Sequence, residues 1–106
     1  MEKTTYMLCK IKPGKRQVWL DWCKEMMEKH YTEASETLVE EDLVRERNFI
    51  FGEGDDSYVL YLHTPVEGKV KKPFNPTREL NQEHFRKFHE CLEKVKPCVP
   101  GYDVSA

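Results

Sequence analysis

The sequence predicts an α+β domain: an antiparallel sheet in the strand-helix-strand-strand-helix-strand (βαββαβ) order of ferredoxin-like folds, with the helices on one face. Three observations carry the prediction. The hydrophobic pattern alternates between a period of two and a period near 3.6 residues, turn-forming residues join the two middle strands, and the 106 residues show no compositional break, so 1–106 is one domain.

Each element has its own justification. In "TYMLCKIK", Thr5 to Lys12, Met7, Cys9 and Ile11 share one face and Tyr6 and Leu8 the other, and Pro13-Gly14 ends the strand. From Lys15 the period lengthens: Trp19, Trp22, Cys23, Met26 and His30 fall within about 100° of arc at ~100° per residue, which predicts an amphipathic helix. "YTEASETLVEED" continues it, or restarts it after a kink near Thr32. Leu43 to Gly52 and Ser57 to Thr64 read as strands two and three, joined by the turn chemistry of "EGDD". Pro65 to Leu80, with three prolines and no periodicity, reads as a long loop of the kind that often serves binding. A second helix is expected from about Asn81 to Val95, with Phe85, Phe88, Leu92 and Val95 as its core stripe, and a last edge strand within "CVPGYDVS".

Composition narrows the function. A net charge of −2 with both signs interspersed gives no basic field, so neither nucleic acid nor a membrane surface is an expected partner. No apolar run approaches a membrane span and the start lacks the apolar core of a signal peptide, which predicts a cytoplasmic address. Cys9, Cys23, Cys91 and Cys98 form no metal-binding spacing and read as free thiols; no metal and no cofactor is expected. Strands two and three are apolar on both parities: Phe49 and Phe51 against Ile50, then Tyr58, Leu60 and Leu62 against Val59 and Tyr61. Helices on one side of a sheet bury only one parity, so the other predicts a homodimer packed sheet to sheet.

Several residues are candidates for chemistry. His84 and His89 lie five residues apart, about 140° around a helix, and so do not share one ion as an i, i+4 pair would. His84, beside the long loop, is the stronger candidate. His63 ends strand three, and His30 lies on the apolar side of the first helix with Glu33 one turn on. If these elements converge, His84, His63, His30 and Glu33 would line one cavity and supply acid-base catalysis. The plainer reading is boundary histidines satisfied by carbonyls or water. Arg45 and Arg47 share one face of strand two and suit a carboxylate or phosphate, with Trp22 and Tyr61 as further ligand contacts; the plainer reading is an exposed face pairing with nearby acids. Lys69, Lys71 and Lys72 fit an anionic ligand or a merely soluble loop. Glu36, Glu40, Glu41 and Asp42 lack the spacing of a calcium loop.

The stretches "IKPGKRQVWLDWCKEM", "EASETLVEEDLVRERNFIF", "DDSYVLYLHT" and "LNQEHFRKF" together resemble a small uncharacterised bacterial family grouped with the dimeric α/β-barrel superfamily, which also holds cofactor-free antibiotic-biosynthesis monooxygenases. The matching positions are Lys12, Pro13, Gly14, Trp22, Glu33, Ala34, Thr37, Leu38, Glu46, Tyr58 and His84, and the chain departs from the pattern between Pro65 and Leu80. The resemblance implies a dimeric α/β barrel. The function expected from residues and resemblance together is a small-molecule site between sheet and helices, working as a cofactor-free enzyme. The alternative is a non-catalytic dimerisation or ligand- and peptide-binding module.

Overall fold

The structure, a computed structural model, describes residues 3–106, the side chain of Lys94 excepted. Its elements are β1 (Thr5–Ile11), α1 (Arg16–Lys29), α2 (Tyr31–Glu40), β2 (Leu43–Glu53), β3 (Asp56–Pro65), α3 (Glu79–Cys91) and β4 (Leu92–Pro97). The four strands form one open sheet in the order β2-β3-β1-β4, every neighbouring pair antiparallel.

Local chemistry explains most boundaries. The helical stretch breaks at a single residue, His30, whose backbone leaves the helical region at φ −121° and ψ 10°. The break lies two residues before the expected kink. At the end of α2, Asp42 takes a left-handed conformation, φ 57°, which turns the chain into β2; a short polar side chain tolerates this conformation better than most. The β2–β3 hairpin closes over Gly54 and Asp55, with positive φ at the glycine alone, the pattern of a type II′ turn. Gly52, at φ +90°, admits nothing larger: a Cβ there would come within 2.0 Å of the Asp56 carbonyl oxygen.

The C-terminal part departs from the sequence expectation. The last helix ends at Cys91, and Leu92–Pro97 is the fourth strand, earlier than the strand expected after Cys98. The vacant edge of β1 decides this. Leu92 pairs with Ile11, Lys96 with Leu8 and Pro97 with Met7, while Lys12 donates from its backbone to the Cys91 carbonyl at 2.7 Å. A row of ladder hydrogen bonds outweighs the small helical preference of "LEKVK". Pro97 stands at the strand's end on the sheet edge, where its missing N–H is tolerated. The expected helical stripe is correspondingly divided: Phe88 packs against the core, Leu92 enters the core from a strand, and Phe85 and Val95 are about half exposed.

The core forms where one parity of the sheet meets the helices. Cys9, Ile11, Val59 and Tyr61 pack against Trp19 and Trp22 of α1, Leu80 and Cys91 of α3, and Leu92. Each buried tryptophan contributes up to about 5 kcal/mol by area. Burial also pushes the Cys9 thiol up to about 11, with Cys98 nearby adding to the effect, so Cys9 behaves as an apolar residue rather than a nucleophile. Much of the other parity stays open: Tyr6, Phe49 and Phe51 are each substantially exposed, although Leu62 on the same face is buried.

Candidate functional site

A half-open cleft of about 1410 Å³ lies between the helices and β2 and β3, and reaches the loop that precedes α3. Its walls are mostly apolar, from Met26 and Trp22 on α1 to Phe88 on α3. On its floor the polar side chains form one connected chain.

Strand alternation sets that chain up. Counting back from the Gly54-Asp55 turn places Glu46 opposite His63 and Asn48 opposite Tyr61, all on the parity that faces the helices. His63 Nε2 lies 2.9 Å from Glu46 Oε1, so the ring nitrogen carries the proton and donates to the carboxylate. The Tyr61 hydroxyl lies 2.9 Å from His84 Nε2, near enough to the Glu46 carboxylate to feel its charge, and the Tyr61 ring stacks on that of His63. On the far side of that imidazole, Trp22 Nε1–H donates to His84 Nδ1 at 3.0 Å. An indole nitrogen can only donate, so His84 Nδ1 must accept and Nε2 must hold the proton. The hydrogen bonds then run from Trp22 to His84 and from His84 to Tyr61, and beside them from His63 to Glu46.

Burial sets the charge states. It holds the His84 imidazole below its ordinary value; Glu46 pulls it back up in part and His63 pushes it further down. Burial also raises the Tyr61 phenol well above its ordinary value, reinforced by the Glu46 charge. At Glu46 burial pulls upward, but the His63 hydrogen bond together with His84, His63 and Lys71 outweighs it, and the carboxyl sits below its ordinary value. The floor thus holds a carboxylate anchoring His63 and a neutral inner histidine.

Of the residues picked from the sequence, His84, His63, Trp22 and Tyr61 meet here. His30 reaches the edge of the group through its ring, 5.9 Å from that of Trp22, but its nearest carboxylate is Glu25 at 3.7 Å rather than Glu33. Glu33 turns outward to Arg78 at 3.3 Å, which also binds Glu36 and Glu40. Arg45 and Arg47 line the cleft along the edge strand β2, on the parity opposite to Glu46. Sequence reasoning named Glu46 but gave it no role, and passed over Asn48, whose side-chain oxygen accepts from the Cys23 thiol at 3.7 Å. The hairpin turn was the available signal, because pairing outward from Gly54-Asp55 brings Glu46 to His63. The loop between β3 and α3 is pinned: Lys71 binds Glu41 at 3.0 Å, and Lys72 and Lys69 bind Asp42 at 3.1 and 3.8 Å.

Chemically, His63 is the residue suited to move a proton. Its Nε2 is held by Glu46, which leaves Nδ1 for a ligand, and its ring stacks on Tyr61 at 5.4 Å. His84 has both nitrogens engaged and acts through its neighbours. Among the described residues no group of three or more His, Cys, Asp or Glu side chains is placed to hold a metal ion, and no helix is long and apolar enough to cross a membrane.

Fold and site together define a small α+β domain with an aromatic cleft floored by a histidine-tyrosine-carboxylate network. The model of a family of unknown function (DUF6176) matches residues 3–100, and the chain belongs to that family. No curated protein and no solved structure matches it significantly.

Proposed function

We propose that this domain binds a small molecule in the cleft between helices and sheet and acts on it by proton transfer, with His63 as acid-base group and Glu46 as the carboxylate that orients it. The observation that carries the reading is the series of contacts on the floor of the cleft: hydrogen bonds from Trp22 through His84 to Tyr61 and from His63 to Glu46, with the Tyr61 and His63 rings stacked between them. Such a series fixes each tautomer in advance, which is what a positioned general base requires. Perturbed titratable groups gathered in one cleft favour the same reading.

The strand order β2-β3-β1-β4 supports a ferredoxin-like domain, and the bare parity of the sheet supports pairing of two copies as a dimeric α/β barrel. Sedimentation velocity at micromolar concentration is expected to give a species of twice the 12.6 kDa chain mass; a lone monomer rejects the barrel.

Thermal-shift screening against small acids, phenols and carbonyl compounds, on the wild type and His63→Gln, tests the site. The reading expects at least one compound to stabilise both proteins and to be turned over by the wild type alone. Binding with no turnover by either protein leaves a non-catalytic binding module, and no binding at all removes the site.

A further inference from the structure

The cations around the cleft are unevenly matched. Lys71 on its wall is paired with Glu41, the neighbouring Lys69 and Lys72 with Asp42, and Arg78 with three glutamates. Arg45 and Arg47 differ. Among the described residues neither side chain makes an ion pair or a hydrogen bond, in a chain where 19 acidic residues outnumber 17 basic ones.

Their placement is specific. As residues i and i+2 of β2 they stand on one face, about 7 Å apart. β2 is an edge strand, and both side chains line the cleft together with the exposed apolar Met27, Val44 and Phe49. The Arg47 guanidinium lies 6.0 Å from the Phe49 ring centre. Its Nε is buried and has no acceptor. A solvated surface arginine keeps its donors wet; this one has lost water at Nε and gained nothing in exchange, which is costly unless an acceptor arrives. Two unopposed guanidinium forks beside apolar rim residues are complementary to an anion carried on an apolar body.

We infer that the ligand of the cleft is an amphipathic organic acid, its carboxylate or phosphate held at the mouth by Arg45 and Arg47 and its apolar body lying in the cleft. This rests on the reading of the cleft as a ligand site and adds the class of ligand. Because the arginines and Glu46 leave β2 on opposite parities, the acid group is an anchor at the rim, apart from the His63 pair on the floor.

Calorimetric titration with 2-naphthoate, 2-naphthyl phosphate and the neutral isostere 2-naphthol tests it. Wild type is expected to bind at least one of the two anions about tenfold more tightly than the naphthol, as charge-assisted hydrogen bonds imply. In Arg45→Gln/Arg47→Gln that preference disappears while naphthol binding is unchanged, which also shows that the variant is folded; Arg45→Lys/Arg47→Lys keeps part of the preference, and His63→Gln keeps all of it. The relative strength of the two anions distinguishes carboxylate from phosphate. Equal binding of all three probes by wild type, or a preference that survives the double glutamine variant, overturns the inference and leaves the cleft standing. Failure of all three to bind overturns the cleft reading as well.

Discussion

Trp22 donates its indole N–H to Nδ1 of His84 at 3.0 Å, and this contact alone determines which nitrogen of the histidine carries the proton. Both residues belong to helices, α1 and α3, yet the consequence is felt on the sheet, because His84 Nε2–H is thereby directed at Tyr61. Trp22→Phe keeps the aromatic bulk and removes the donor. It is expected to cost about 1–3 kcal/mol, the penalty for a buried acceptor left without a partner, read as a lower urea midpoint with an unchanged slope.

Tyr61→Phe removes the oxygen that pairs with His84 and strands its Nε2–H. A loss of roughly 1–3 kcal/mol is expected. Since Trp22 and Tyr61 act on the same imidazole, the double variant should cost less than the sum of the single ones; strict additivity would argue that no connected network exists.

Acid should weaken the protein in two stages. The folded state holds His84 below its ordinary value of 6.5, chiefly by burial, so the unfolded chain takes the proton first. That contribution is complete above pH 6.5 and is lost as pH falls from there through the folded value. Glu46 is likewise lowered from 4.5, so its contribution is present above that pH and lost below it. Each stage has a limiting slope of about 1.4 kcal/mol per pH unit. Urea titrations from pH 7 down to about pH 3 check this, and His84→Gln should flatten the fall that begins below pH 6.5 without removing the one that begins below pH 4.5.

The loop between β3 and α3 is tied to α2 by Arg78 and to the turn that follows α2 by Lys69, Lys71 and Lys72. Arg78→Ala, or wild type in ~1 M salt where exposed pairs are screened, should be nicked faster by trypsin after Lys69 and Lys71, the Lys72–Pro73 bond being resistant. Salt should have little further effect on the variant if Arg78 is the main clamp.

Gly52→Ala places a methyl against the Asp56 carbonyl and forces an L-residue to φ +90°. A destabilisation of at least about 1–3 kcal/mol is expected from the backbone alone. Gly14→Ala, with the same sign of φ but open space around it, should cost less.

Much of this architecture was legible in the sequence because it is written in local patterns. The period of two in "TYMLCKIK" places β1, the 3.6-residue arc from Trp19 to Met26 places α1, and the Gly54-Asp55 turn places both arms of the hairpin within a residue or two. The two-sided hydrophobicity of that hairpin likewise announces a parity that the helices leave bare. The end of α3 was not legible, since "LEKVK" satisfies a helix as readily as a strand, and only the free edge of β1, more than eighty residues earlier, chose between them.

The site divides in the same way. Sequence alone nominated His84, His63, Trp22 and Tyr61, because their residue types and positions on amphipathic elements suit a cavity. Their connection was a decision of the tertiary structure. A hydrogen bond needs two groups within about 3 Å, and Trp22 and His84 are 62 residues apart with no pattern between them that records the contact. The same packing separated Glu33 from His30 and left Arg45 and Arg47 without an ion pair among the described residues, because the fate of a charge depends on which surfaces meet across the fold. Local periodicity determined which faces of this protein are apolar; only the docking of helices on sheet determined which polar groups those faces enclose.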